Sequence, residues 1–201
     1  MDIVIRRMDR GETEEVSLLA DKLVGVGYYP PSLVADYMDQ STSEAGMFSY
    51  VASLDDRLVA FRFVLPPGRW EHGRGRGLSV DRWPAPLTDS AYFQSCFVDD
   101  GVMGQGIGRK LAWRALWDLK ESGARAVVAH SWKESPHGSS LRYLERLGFQ
   151  AVDEHPEYWK EVDYHCRRCG SPCLCTAVEM VLDLQLWEPP AEAATVLGDR
   201  R

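Results

Sequence analysis

The chain has 201 residues, 45% hydrophobic and 26% charged, with a formal net charge of -7 and a pI near 5.3. That suits one globular domain with a sizeable core, and the acidic balance disfavours a nucleic-acid partner while attracting cationic amines or basic peptides. No run of 18 apolar residues occurs and residues 1–7 lack the apolar centre of a signal peptide, so neither a membrane span nor export is expected, and the expected compartment is the cytoplasm.

Residues 2–8 mix apolar and charged side chains, as a half-exposed first strand does. Thr13-Glu14-Glu15 offers a helix start; Val16, Leu19, Ala20 and Leu23 share one face, and Gly25 and Gly27 end it. Pro30-Pro31-Ser32 opens a second helix running to residue 39, with Leu33, Val34, Tyr37 and Met38 as its buried stripe. Residues 47–53 and 58–65 read as strands joined by a hairpin at Asp55-Asp56. The pattern then lapses over residues 66–90, a long connection for a compact domain. Arg69, Arg74, Arg76 and Arg82, with Trp70 and Trp83, suit either a lid that binds an anion or stacks on a ring, or a solvated surface insertion.

Residues 91–98 have the β-branched and aromatic character of a buried strand, and a glycine-rich turn follows. Ile107, Leu111, Ala112, Ala115, Leu116 and Leu119 then recur at helical spacing, which puts Gly104-Gln105-Gly106-Ile107-Gly108 at a helix N-terminus. Close backbone approach, orphan N–H groups and the helix dipole suit a pyrophosphate there, although glycines alone also make plain turns. The spacing is neither the G-x-G-x-x-G of a dinucleotide fold nor the Gly-Lys-Ser/Thr of a triphosphate loop. Residues 125–130 read as another buried strand, and residues 139–147 as a short helix closed by Gly148-Phe149. Residues 149–152 and 177–184 look like the last two strands; after Trp187-Glu188-Pro189-Pro190, residues 191–201 read as a frayed tail.

Four of the five cysteines, Cys166, Cys169, Cys173 and Cys175, sit between those last strands around a Gly-Ser-Pro turn. Four thiolates can surround one Zn²⁺ and staple a polar loop, a structural role because no coordination position stays open. Free or partly oxidised thiols and an iron–sulfur cluster are the alternatives, with His165 as a spare ligand or an ordinary strand residue. Cys96 reads as a small core residue.

The order strand, glycine loop, helix, strand, helix, Gly-Phe over residues 97–149 resembles the GNAT superfamily of acyl-CoA-dependent N-acyltransferases. The usual Arg/Gln-x-x-Gly-x-Gly/Ala loop falls on Met103 to Gly108, and the usual Asn-x-x-Ala-x-x-x-Tyr-x-x-x-Gly-Phe on His137, Ser140, Leu144, Gly148 and Phe149. Met103, His137 and Leu144 depart from the pattern; the last replaces the tyrosine often credited as general acid. Tyr143 lies one residue earlier, about 100° around the helix.

The resemblance implies an α/β (mixed α+β) fold with a mostly antiparallel sheet of about seven strands and about four helices. It implies one domain over residues 1–188, with insertions at 66–90 and 164–176 and a tail at 189–201. Coenzyme contacts would come from Phe97 and Val98 on the pantetheine arm, with the Val98 N–H facing the thioester oxygen. Met103, Gly104, Gln105, Gly106, Ile107, Gly108 and Arg109 would hold the phosphates, supplemented by His137 and Ser140. Glu134, or Gln94 acting through water, is the candidate base, each equally readable as surface or strand polarity; Tyr143 is the candidate acid, although an aromatic on a short packed helix is more often core. The implied function is acetyl-CoA-dependent N-acetyl transfer; zinc, as a structural metal, is expected from the cysteine cluster alone. The acceptor would be an amine of a small molecule or peptide, with no nucleic-acid or membrane partner, and a homodimer is the assembly considered. The alternative is a non-catalytic acyl-CoA sensor, which Leu144 favours.

Overall fold

The computed structural model describes residues 3–75 and 77–198; Arg76, the termini and the His137 side chain lie outside the described residues. The strands are β1 (Ile3–Arg7), β2 (Thr42–Ser43), β3 (Gly46–Met47), β4 (Tyr50–Leu54), β5 (Arg57–Leu65), β6 (Ser90–Val98), β7 (Ala126–Trp132), β8 (Gln150–His155) and β9 (Ala177–Asp183). The helices are α1 (Thr13–Leu23), α2 (Pro31–Gln40), α3 (Ile107–Glu121), α4 (Ser139–Arg146) and α5 (Ala194–Leu197). Seven strands form one mixed sheet in the order β1-β4-β5-β6-β7-β9-β8, antiparallel except where β6 meets β7; β2 and β3 pair separately.

Two apolar cores sandwich the sheet. On one face α1 and α2 bury Val16, Leu19, Val34, Tyr37 and Met38 against Phe61, Phe63 and Leu65. On the other, α3 buries Ile107, Leu111, Leu116 and Leu119, and α4 buries Leu144. The chain enters α1 through a 3₁₀ turn, Arg10–Glu12, where Asp9 and Glu12 form a reciprocal capping box ahead of the expected start at Thr13.

The 66–90 connection is anchored by its two tryptophans, while Arg69 and Arg82 stay exposed. Trp70 and Trp83 are buried and stack on one another at 5.9 Å, and Trp70 stacks on Tyr92 at 4.7 Å. Their closeness explains the alternating glycines: a Cβ at Gly73, Gly75 or Gly77 would come within 2.2–2.4 Å of Tyr92 Oη, the Tyr158 carbonyl or the His155 ring. The expected tail is also partly structured. Ala191–Ala193 forms a 3₁₀ turn leading into α5, with Ala193 buried against α3, because Lys120 Nζ holds the Trp187 carbonyl at 2.5 Å and fixes the approach. Residues 199–201 of that tail lie outside the described residues.

Candidate active site and metal centre

The β6–β7 pairing runs only from Ser90↔Ala126 to Phe93↔Ala129. Beyond it, β6 stays with β5 as far as Val98↔Ala60 while β7 follows β9 to Trp132↔Ala177, so the two strands part and leave a wedge in the sheet. The split begins at Gln94, which the β5–β6 register skips between Phe63↔Ser95 and Val64↔Phe93. This bulge bends β6 away from its parallel neighbour. Asp99 N donates to Val59 O at 2.8 Å, so by strand alternation Phe97 and Asp99 direct backbone groups to β5. Val98 and Cys96 direct theirs into the wedge. Phe97 therefore does not offer the backbone pairing expected of it; its ring packs with Tyr28, Tyr29 and Phe61.

At the wide end of the wedge lies the N-terminus of α3. Gly106 is its N-cap, in a left-handed conformation at φ 74°, and no side chain caps the helix among the described residues. Asp99 closes the preceding turn, accepting from Gly101 N at 2.9 Å and from Lys22 Nζ at 2.7 Å. Lys22 and that N–H hold its carboxyl below the usual value. Met103 is exposed and Ile107 is buried in the core, so Ile107 offers this turn only its backbone. Arg109 is exposed, its guanidinium 5.5 Å from the Trp113 ring centre.

A profile of the acetyltransferase (GNAT) family matches residues 18–149, which spans both sides of this wedge. The chain belongs to the GNAT acetyltransferase family. Its fold is similar to that of the ribosomal-protein-S18-alanine N-acetyltransferase of Escherichia coli, at TM-score 0.64 and 13% identity over 93% of this chain and 97% of that one. It also resembles yncA of Salmonella typhimurium, solved with its cofactor acetyl-CoA, at TM-score 0.62 and 16% identity over 94% and 98%. A third likeness is Arabidopsis thaliana Naa50 in complex with a bisubstrate analogue, CoA-Ac-MVNAL, at TM-score 0.62 and 14% identity over 91% and 99%. No curated protein matches the sequence significantly.

Within the GNAT frame the other candidate residues fall into different environments. Gln94 is buried; its Nε2 donates to Tyr29 Oη at 3.2 Å and its Oε1 has no hydrogen-bond partner among the described residues. The Glu134 carboxylate accepts the Thr176 N–H at 3.0 and 3.2 Å, tying the end of β7 to the cysteine loop. Ser140 Oγ accepts from Ser131 Oγ at 3.0 Å and from Trp132 N at 3.3 Å, fastening α4 to β7. His137 lies in the 3₁₀ turn Pro136–Gly138. Tyr143 Oη donates to the Gly108 carbonyl at 2.8 Å and accepts from Arg62 Nη2 at 2.5 Å. Burial pushes its pKa upward against the pull of Arg62. Its proton is thus committed to α3, while Leu144 points into the core.

Two polar clusters were not expected. Arg62 is 1% exposed, lies over the Phe93 ring at 4.1 Å and faces Cys96 across the β5–β6 pair. The second lies under the 66–90 segment. Glu179, fully buried, accepts from Ser79 N at 3.0 Å, Trp83 Nε1 at 2.5 Å and His155 Nε2 at 2.7 Å. His130 donates from Nε2 to Gly77 O at 2.8 Å and accepts the Tyr92 hydroxyl at Nδ1, 2.7 Å, so its partners define the neutral tautomer. Burial pushes its pKa down to about 3. The alternating glycines and a lone glutamate in an apolar strand were the only traces of this cluster in the sequence.

In the cysteine loop the four Sγ atoms lie within 4.8 Å of one another, with Cys169 at 3.7 Å from both Cys173 and Cys175. Four metal–sulfur bonds of about 2.3 Å in a tetrahedron put neighbouring sulfurs about 3.8 Å apart, so this donor set fits Zn²⁺. Leu174 N donates to Cys169 Sγ at 3.4 Å. Backbone N–H groups of Arg168 and Cys169 help hold Cys166 down to about 7 although burial opposes them, which favours a thiolate.

Proposed function

We propose that this protein is an acetyl-CoA-dependent N-acetyltransferase that moves an acetyl group directly to a primary amine of a small molecule or peptide. The observation that carries this is the wedge between β6 and β7 opening onto the uncapped N-terminus of α3. The coenzyme's pyrophosphate would lie on the N–H groups of residues 104–108, and Arg109 or Lys110 would add a cation. Its pantetheine arm would pair along Cys96 and Val98. The Val98 N–H then suits the thioester oxygen, on which charge builds as the amine attacks.

A protonated amine must lose a proton before it attacks. Gln94 is the residue best placed to help, because its unpartnered Oε1 can anchor the amine or a water that carries the proton away. Glu134 is engaged by the Thr176 N–H and is a weaker candidate. A coenzyme thiolate is a tolerable leaving group near neutral pH, so water suffices as the acid. The four cysteines would hold one structural Zn²⁺.

The second reading, an acyl-CoA sensor without turnover, is favoured by one feature, the committed proton of Tyr143. Thiol release from acetyl-CoA across a panel of small amines and peptide N-termini separates the two. Turnover above the uncatalysed background supports the transferase; acetyl-CoA binding without any turnover selects the sensor.

A further inference from the structure

We infer that the acceptor amine also carries a carboxylate, and that Arg74 is the residue that holds it. The inference rests on the acetyl-transfer reading and adds the acceptor's chemical class. Arg74 stands between two buried glycines of the 66–90 segment, on the α1–α2 side of the sheet. Its Nη2 donates to the Tyr28 carbonyl at 2.9 Å, and its guanidinium lies 4.9 and 5.7 Å from the ring centres of Tyr28 and Tyr29. Its Nε is buried without a hydrogen-bond partner among the described residues. Its polar side-chain neighbours are the neutral phenols of Tyr28 and Tyr37, both within hydrogen-bonding reach, and no carboxylate pairs with it among the described residues. A tether to the Tyr28 carbonyl explains one nitrogen. It does not explain a cation placed on aromatic rings with Nε buried and unpaired among the described residues, an arrangement that costs free energy until an anion arrives.

Nε and a neighbouring Nη are the pair of donors that grips a carboxylate in two parallel hydrogen bonds. The ring beneath Arg74 leads to the wedge. Tyr29 accepts from Gln94 Nε2 at 3.2 Å and shares a 2.6 Å bond with Ser95 Oγ, which donates in turn to Gln94 O. One tyrosine therefore separates an orphan acceptor, Gln94 Oε1, from an orphan donor, Arg74 Nε. That pairing matches an amine at one end and an anion at the other. It also reconciles a cationic clamp with a chain of net charge -7, since a zwitterion satisfies both.

The test compares free amino acids with their methyl esters and decarboxylated amines, following thiol release with acetyl-CoA and, separately, calorimetric binding to protein loaded with coenzyme A. At least one free amino acid should be acetylated, with KM raised on the order of 10- to 100-fold for its ester and its amine. Arg74→Gln should erase that difference with acetyl-CoA affinity and melting temperature retained, and Arg74→Lys should keep part of it. Esters acetylated as well as acids, or discrimination surviving Arg74→Gln, would overturn the clamp. If no amine turns over, the transfer reading fails, and calorimetry decides the clamp alone. Amino-acid binding lost in Arg74→Gln supports it; no binding to the loaded wild type overturns it. Should Arg74→Gln not fold, Arg74→Lys carries the same comparison.

Discussion

Single side chains around the wedge do different work from their neighbours in sequence, and Tyr143 is the clearest case. It stands next to the position where the family usually has tyrosine, yet its hydroxyl bridges Arg62 and the Gly108 carbonyl in the first turn of α3. Tyr143→Phe leaves that carbonyl and a fully buried guanidinium short of a partner, a loss of about 1–3 kcal/mol, several degrees of melting temperature at this chain length. We expect kcat to change less than tenfold, the lenient end of a general-acid effect. Thermal denaturation beside steady-state kinetics checks both; a tenfold fall in kcat with unchanged melting would make Tyr143 the acid after all. At Gly106 the same reasoning concerns charge. Gly106→Asp sets a carboxylate where the pyrophosphate would lie, and aspartate tolerates the φ of 74° there. Acetyl-CoA affinity by calorimetry should fall at least about tenfold, or 1.4 kcal/mol; equal affinity would remove the phosphates from this turn.

Elements were legible where one periodicity dominated. The stripe from Ile107 to Leu119 located α3, and the apolar runs located β5 and β6, because each buries a continuous face. Residues 66–90 were not legible, since their order comes from partners far away in sequence: Tyr92, His130, Tyr158 and Glu179. Likewise the wedge depends on where β6–β7 pairing stops, and no local pattern in either strand records that. The glycines did register the close approach, but not what was approached. Gly75→Ala places a methyl 2.2 Å from the Tyr158 carbonyl and should destabilise the fold by about 1–3 kcal/mol, read in a urea titration. His130 gives the same segment a pH dependence. Its folded pKa, about 3, lies below the unfolded value near 6.5, so only the unfolded chain takes up a proton between them. Its contribution is fully present above pH 6.5 and declines toward pH 3, by at most about 1.4 kcal/mol per unit. Melting temperature measured from pH 7 to pH 4 should fall accordingly, and less in His130→Gln; a flat wild-type profile would mean that the imidazole is not held neutral.

Across the whole molecule, the cysteine loop joins parts that the sheet alone leaves apart. On one side Arg167 donates to the carbonyls of Lys22 and Leu23 at 2.8 and 3.3 Å, and Tyr164 packs on Tyr28 at 4.8 Å, so the loop braces the α1–α2 connection. On the other, Arg168 donates to the Glu134 carbonyl at 3.1 Å and Thr176 N to its carboxylate, bracing the end of β7. The loop packs into the core on the α1–α2 side, the side given to the acceptor in the proposed reading, and among the described residues it reaches the turn before α3 only through Lys22, which holds Asp99. The cluster itself was legible because four cysteines so close in sequence have few other uses; its bracing role was not, because both partners are distant in the chain. A metal at this point should therefore matter to the acceptor more than to the coenzyme. Protein purified without added metal should carry about one zinc per chain by elemental analysis. Chelation, or Cys169→Ser, should lower the melting temperature and raise the acceptor's KM at least severalfold, with acetyl-CoA affinity changed less, because the loop loses the centre that fixes both braces. Protein that is metal-free as purified and yet equally stable would leave the four thiols without this role, and equal losses of coenzyme and acceptor binding would show that the metal supports the fold as a whole.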